Sequence, residues 1–156
     1  MEESKTDKIK DDAMIFGLLL IISNKMSTLL ERELKEFDVT TMQWFLIETI
    51  HSIFDNPPTM KNVAVMMGSS HQNIKQVALK LQQKGLIILE KDSKDARVTR
   101  LRVTQKSKDL WSKINLKGDL FRINMFKAMN SNEITVTRQV LEELLNNLNV
   151  IGNDED

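Results

Sequence analysis

A chain of 156 residues can bury the core of one ordinary domain, or of one domain with helical extensions, and is too short for several. Its 41% hydrophobic and 28% charged residues exclude wholesale disorder, and the absence of cysteine excludes a disulfide framework, a thiolate metal site, a cysteine nucleophile and a thiol redox switch. The zero net charge conceals a separation: Thr59 to Gly118 holds 13 Lys and Arg against 4 Asp and Glu, and the remainder holds 9 against 18. A basic middle between acidic ends fits a module that meets a polyanion, and equally a set of solvated Lys-rich helix faces.

The first predicted element is a helix from Asp7 to Phe37, with apolar residues at Ile9, Met14, Ile15, Leu18, Leu19, Ile22, Met26, Leu29, Leu30 and Leu34. The run Ala13 to Ile22 has ten residues where a bilayer span needs ~20, so it reads as a buried helix of a cytoplasmic protein. Being apolar nearly all round, it calls for a second element or a second subunit. Thr40 or Thr41 caps the next helix, MQWFLIETIHSIF, which stops at Asp55-Asn56-Pro57-Pro58.

Thr59 caps a short helix, MKNVAVMM, ending at Gly68. Ser69 with Gln72 reads as a capping box opening another helix, whose apolar stripe is Ile74, Val77, Ala78 and Leu81 and whose end is Gly85. Two helices joined by so tight a turn form a helix-turn-helix. LIILEK and RVTRLRV, separated by DSKDA, read as a β-hairpin with Arg100 and Arg102 on one side. Thr104 then caps a helix to about Met129, and Ser131 caps a last one through Val150, with Val140, Leu141, Leu144, Leu145, Leu148 and Ile151 as its stripe. The fold class is therefore mainly α with a small β-hairpin wing, a winged helix-turn-helix.

The stretch from Thr59 to Leu110 resembles the DNA-binding lobe of the MarR family of winged-helix transcriptional regulators. The residues that carry the resemblance are Ala64 and Gly68 at the turn, Ser70 opening the recognition helix, the LQQKGL run, the wing Asp92-Ser93-Lys94-Asp95-Ala96-Arg97, and Val103-Thr104. It is sharp over a third of the chain and weaker over almost all of it. Three positions depart from the family pattern: Ala96 and Gln76 stand where arginine is usual, and Ser107 where glycine is usual.

What the resemblance implies is a homodimer whose terminal helices interlock through Ile9, Met14, Val140, Leu141, Leu144, Leu145 and Leu148. Packing of these faces within one chain is the alternative. The implied organisation is a dimerisation helix over 1–38, the winged helix and the start of a connecting helix over 39–118, C-terminal dimerisation helices over 119–152 and a disordered tail over 153–156. It further implies a DNA-binding regulator, a repressor of pseudo-palindromic operators, released by a small aromatic or anionic effector in a pocket including Met26, Trp44, Ile47 and His51. Trp44 and Ile47 fit plain core as well, His51 fits a helix C-terminal charge, and the nine methionines fit a soft core as well as oxidation sensing.

A recognition helix reads base edges with side chains near its N-terminus, here Ser70, His71, Gln72, Asn73, Lys75 and Gln76. Gln and Asn match adenine, and the helix lacks arginine, so A·T pairs are expected in the operator; Gln72 held in a cap would instead read nothing. Arg97 and Lys94 are expected in the minor groove, with Asp95 orienting Arg97, and Lys61, Lys75, Lys80, Lys91, Arg100 and Arg102 on phosphates. Two histidines without cysteine make a metal site unexpected, and neither a nucleophile motif nor a phosphate loop suggests an enzyme or a cofactor. The alternative function is a winged-helix module that binds an acidic protein instead of DNA.

Overall fold

The computed structural model describes residues 10–153. Helix α1 (Asp11–Leu34) runs into a 3-10 turn (Lys35–Phe37), followed by α2 (Thr41–Ile53), α3 (Met60–Met66), α4 (His71–Gln83), strands β1 (Ile87–Lys91) and β2 (Thr99–Val103), α5 (Gln105–Phe126) and α6 (Ser131–Asn153). It is a mainly helical winged helix-turn-helix. Ile9 and the tail residues Asp154–Asp156 lie outside the described residues, and Asn153, expected in that tail, ends α6.

The chain divides into two compact units, Met1–Ile114 and Asn115–Asp156, the division falling inside α5. Helix α1 thus shares a unit with the winged helix. In this unit the core gathers Leu46, Ile47 and Ile50 from α2, Val63 and Ala64 from α3, Ile74, Ala78 and Leu81 from α4, Leu101 from β2, and Trp111 and Ile114 from α5. Each helix contributes residues three or four apart, α3 through Met60 with Val63 and Ala64, the spacing that builds one buried face.

Local chemistry sets the boundaries. Thr40 closes a capping box on Gln43, and Thr59 accepts the N–H of Asn62 at 3.1 Å. Gly68 and Gly85 take φ of 58° and 70°, so the chain reverses after α3 and α4 while Ser69 and Leu86 donate back to Ala64 and Leu81, both at 2.9 Å. Antiparallel β1 and β2 pair Ile87 with Val103, Leu89 with Leu101 and Lys91 with Thr99.

Three expectations are corrected. The cap of α4 is Ser70, whose Oγ accepts the Asn73 N–H at 3.1 Å; Ser69 lies one residue outside and accepts from the Asn73 side chain, so the Ser69–Gln72 box does not form. The cap of α6 is Asn130, which exchanges hydrogen bonds with Glu133 as a true box, and not Ser131. Finally, α1 is not buried within its own unit: Leu34 is its buried residue, while Met14 and Ile15 to Ile22, apart from the half-buried Gly17, remain exposed.

The packing of α1 within its unit is confined to its C-terminal end, where Leu30 and Leu34 meet the core. By length and composition, Asp11–Phe37 is long and apolar enough to cross a membrane. Counting only the ten residues to Ile22 understated it, because the stretch Ser23 to Thr28 interrupts the apolar run with one charge, Lys25.

Candidate nucleic-acid interface

The recognition helix α4 separates its side chains cleanly. Ile74, Ala78 and Leu81 are fully buried, whereas His71, Gln72, Asn73, Lys75 and Gln76 are exposed near its start. Placing the cap at Ser70 leaves Gln72 outside it and points its amide to solvent. Asn73 is partly committed, since its Nδ2 donates to Ser69 Oγ at 2.9 Å. Ser70 spends its hydroxyl oxygen on the cap.

The wing between the strands is built by its two aspartates. Asp92 Oδ1 accepts the backbone N–H of Lys94 and Asp95 at 2.9 and 3.0 Å, an Asx turn that folds the loop back. The N–H of Asp92 donates to Val98, and that of Val98 to Asp95, closing the loop at its base. Asp95 then receives Arg97 three times: the backbone N–H and Nε at 3.0 and 3.1 Å on one oxygen, and Nη2 at 3.1 Å on the other. The Arg97 side chain is 91% exposed, so this fork holds a cation that projects into solvent.

These contacts hold both carboxylates ionised. Asp92 is lowered to about 2, first by the Arg100 guanidinium and then by the N–H groups of Lys94 and Asp95. Asp95 is lowered as well, first by the Arg97 side chain and then by its backbone N–H.

The start of α3, the start of α4 and the wing enclose a cleft of about 470 Å³. Lys61, His71, Lys75 and Arg97 line it together with Thr59 and Thr99, so it is cationic and open to a polyanion. Lys80, Lys91 and Lys94 are exposed outside the cleft's lining.

The other two arginines are engaged within the protein. Arg102 Nε meets Glu90 at 3.0 Å on the exposed ribbon, and Arg100 binds Asp92 and, through Nη1, the Pro57 carbonyl at 2.8 Å. Sequence reasoning missed the Asp92–Arg100 pair because the two lie eight positions apart. The hairpin register carried the signal: Arg100 pairs with Glu90, two residues before Asp92.

The residues expected to line an effector pocket occupy different environments. Ile47 is fully buried in the core, Met26 and Trp44 are half-buried, and His51 is exposed. Trp44 packs on the core with its Nε1 buried and without an acceptor among the described residues. A cavity of about 470 Å³ at the end of α1 is lined instead by Thr28, Glu31, Arg32, Lys35, Asp38, Val39 and Thr40.

No family model matches the sequence. Solved structures do resemble the fold. The chain superimposes on the Staphylococcus aureus MepR–DNA complex with a TM-score of 0.77 at 17% identity, covering 89% of this chain and 96% of that one. A MarR protein from Peptoclostridium difficile gives 0.80 at 19% identity, over 90% and 91% of the two chains. The organohalide-sensing RdhR regulator in its 2,4-dichlorophenol-bound form gives 0.79 at 14% identity, over 94% and 86%. Over most of its length, the chain therefore has the winged-helix fold of the MarR-family transcriptional regulators.

Proposed function

We propose that the chain is a cytoplasmic, homodimeric, sequence-specific DNA-binding transcriptional regulator. It acts as a repressor at pseudo-palindromic, A·T-rich operators. The observation that carries this is the cationic cleft, in which the exposed start of α4 stands beside an arginine held out by its own wing. A helix start in the major groove and an arginine in the adjacent minor groove together read about half an operator. MepR, a structure with the same fold, is solved as a DNA complex, which supports the reading.

Dimerisation draws support from two uncovered apolar faces. In α1, Phe16, Leu20 and Ile21 are 68, 55 and 53% exposed; in α6, Leu145 and Leu148 are 56 and 63% exposed. So much apolar surface is stable in water only when another surface covers it. A twofold dimer sets its recognition helices ~10 bp apart, hence the pseudo-palindrome. Under this reading the terminal helices supply the dimer contacts, including Met14, Val140, Leu141, Leu144, Leu145 and Leu148.

Release by a small aromatic or anionic effector is part of the proposal. RdhR, with the same fold, is solved with a chlorophenol, and Trp44 offers a buried indole N–H without an acceptor among the described residues. Such a donor is worth ~1 to 3 kcal/mol to whichever oxygen satisfies it.

The test is binding of the full chain to the duplex upstream of its own gene against a random duplex at ~150 mM salt, where electrostatic attraction alone is weak. Sequence-dependent binding lost in Arg97→Ala supports the regulator. Equal, salt-sensitive binding to both duplexes counts against an operator there and favours the alternative, an acidic protein partner. That alternative has one observation of its own: Val65 and Met66 of α3 are 75 and 49% exposed.

A further inference from the structure

We propose that Arg100 is a positioning residue that locks the wing to the linker between α2 and α3, and not a phosphate contact. The proposal rests on the DNA-binding reading for its consequence, but its geometry stands independently of any ligand.

Arg100 sits in β2, with its side chain 38% exposed. Its Nε donates to Asp92 Oδ2, and its Nη1 donates to the Pro57 carbonyl at 2.8 Å. The backbone repeats the connection, because Thr59 and Arg100 form an antiparallel bridge and the Leu101 N–H donates to the Pro58 carbonyl at 2.9 Å. The linker is thus laid along β2 as a fragment of a third strand. Pro57 and Pro58 suit that place: neither has an N–H to donate, and each presents a carbonyl that β2 satisfies.

The other end of the lock is Asp92, whose side chain is 11% exposed. One of its oxygens holds the Lys94 and Asp95 amides that shape the wing, and the other holds Arg100. A single guanidinium therefore links the wing turn to the residues leading into α3. Lysine cannot replace it, since one ammonium on a flexible stem lacks the planar fork that reaches two acceptors in different directions. With these two donors turned inward, Arg100 is poorly disposed toward a phosphate. Its contribution to DNA binding is the angle at which Arg97 meets the minor groove.

Hydrogen exchange on the full chain without DNA tests the lock directly. Arg100→Ala and Arg100→Lys are both expected to speed exchange at the Lys94, Asp95 and Leu101 amides by roughly tenfold, with α2 amides unchanged. Asp92→Asn, which leaves β2 intact, is expected to speed the same amides if Arg100→Ala proves too unstable to study. Salt titration with a random duplex of about 30 bp is the second measurement, and here Arg100→Ala is expected to leave the salt slope unchanged. Unchanged exchange at those amides in all three variants overturns the proposal. So does a slope that falls by ~0.9 in Arg100→Ala and recovers in Arg100→Lys, the behaviour of a phosphate contact. If the unaltered chain binds no duplex, the DNA-binding reading fails, and the exchange result alone decides the lock.

Discussion

Lys84, the residue that ends the recognition helix, reaches back 46 positions to Asp38, donating to its carbonyl oxygen and pairing with its carboxylate at 3.2 Å. Asp38 is the non-glycine residue with positive φ among the described residues, at 52°, and it terminates the turn after α1. The same ammonium lies 3.3 Å from Gln43 Oε1, inside the capping box of α2. One lysine thus fastens the end of α4 to the turn where α1 gives way to α2.

Lys84→Met keeps the aliphatic stem and removes the charge. Because the Lys84 side chain is 30% exposed and that of Asp38 93%, the ion pair itself is worth little, and the bond to the carbonyl dominates. A loss of about 1 kcal/mol is expected in urea unfolding, with an unchanged m-value. No loss would mean that water replaces the ammonium at no cost.

A larger loss is expected in the core. Leu81 is fully buried, and its carbonyl accepts the Leu86 N–H that seals the end of α4. Leu81→Ala removes side-chain volume from a packed site and should cost ~2 to 5 kcal/mol by urea unfolding. Gly85→Ala should cost only ~1 kcal/mol, since the added methyl meets nothing closer than the Lys106 side chain at 3.9 Å and the strain comes from φ alone. A reversed order of the two would show that the turn, and not the core, limits stability.

Most of the fold was legible because local rules dictate it. Thr40, Thr59, Gly68 and Gly85 each sit where a cap or a left-handed turn is required, and alternation in TRLRV set Arg100 and Arg102 on the face opposite Leu101, which is buried. The helix starts that were misplaced by one residue differ in cause. Ser69 has Gln72 three positions on and so outranks Ser70 by pattern, although Ser70 forms the cap, whereas the Asn130–Glu133 box was readable and Ser131, followed three positions on by Ile134, has no such partner. The Arg100 contacts were illegible for a different reason: Pro57 is 43 residues away, and only the tertiary fold brings its carbonyl to β2. Nor could periodicity tell that α1 is left largely uncovered by its own unit, because an apolar stripe looks the same whichever surface covers it.

That uncovered surface predicts the assembly. Leu145→Glu with Leu148→Glu changes two exposed α6 residues that no core contact requires. The double variant is expected to remain helical by circular dichroism but to sediment as a monomer of 18.0 kDa. DNA affinity should fall by at least tenfold, because one half-site is lost. A dimer that survives both charges would move the interface away from this face of α6.

The exposed start of α4 predicts the operator. Gln72 and Gln76 offer a donor and an acceptor on one amide, matching the adenine edge, and α4 carries no arginine to favour guanine. Selection from a random pool is expected to enrich A·T pairs at the half-site centres. Gln72→Ala should then cost ~1 to 3 kcal/mol on the selected site and little on random duplex. A G·C-rich consensus would contradict this assignment of the base-reading residues.

Asp95 gives the least intuitive outcome. Removing an acidic residue from a DNA-facing wing ordinarily strengthens binding by relieving repulsion. Here Asp95 anchors Arg97 by three hydrogen bonds, so Asp95→Ala frees the arginine to wander and should weaken binding by about three- to tenfold. Asp95→Asn retains part of the fork and should fall between. The contribution of both wing carboxylates has a defined pH range. Their pKa values are depressed on folding, so their support is fully present above the unfolded value near 3.8 and disappears as pH falls below it, toward about 2 for Asp92. Titrating DNA affinity between pH 6 and 8 should therefore show no change attributable to either carboxylate. Tighter binding by Asp95→Ala at neutral pH would mean that repulsion outweighs the anchoring of Arg97.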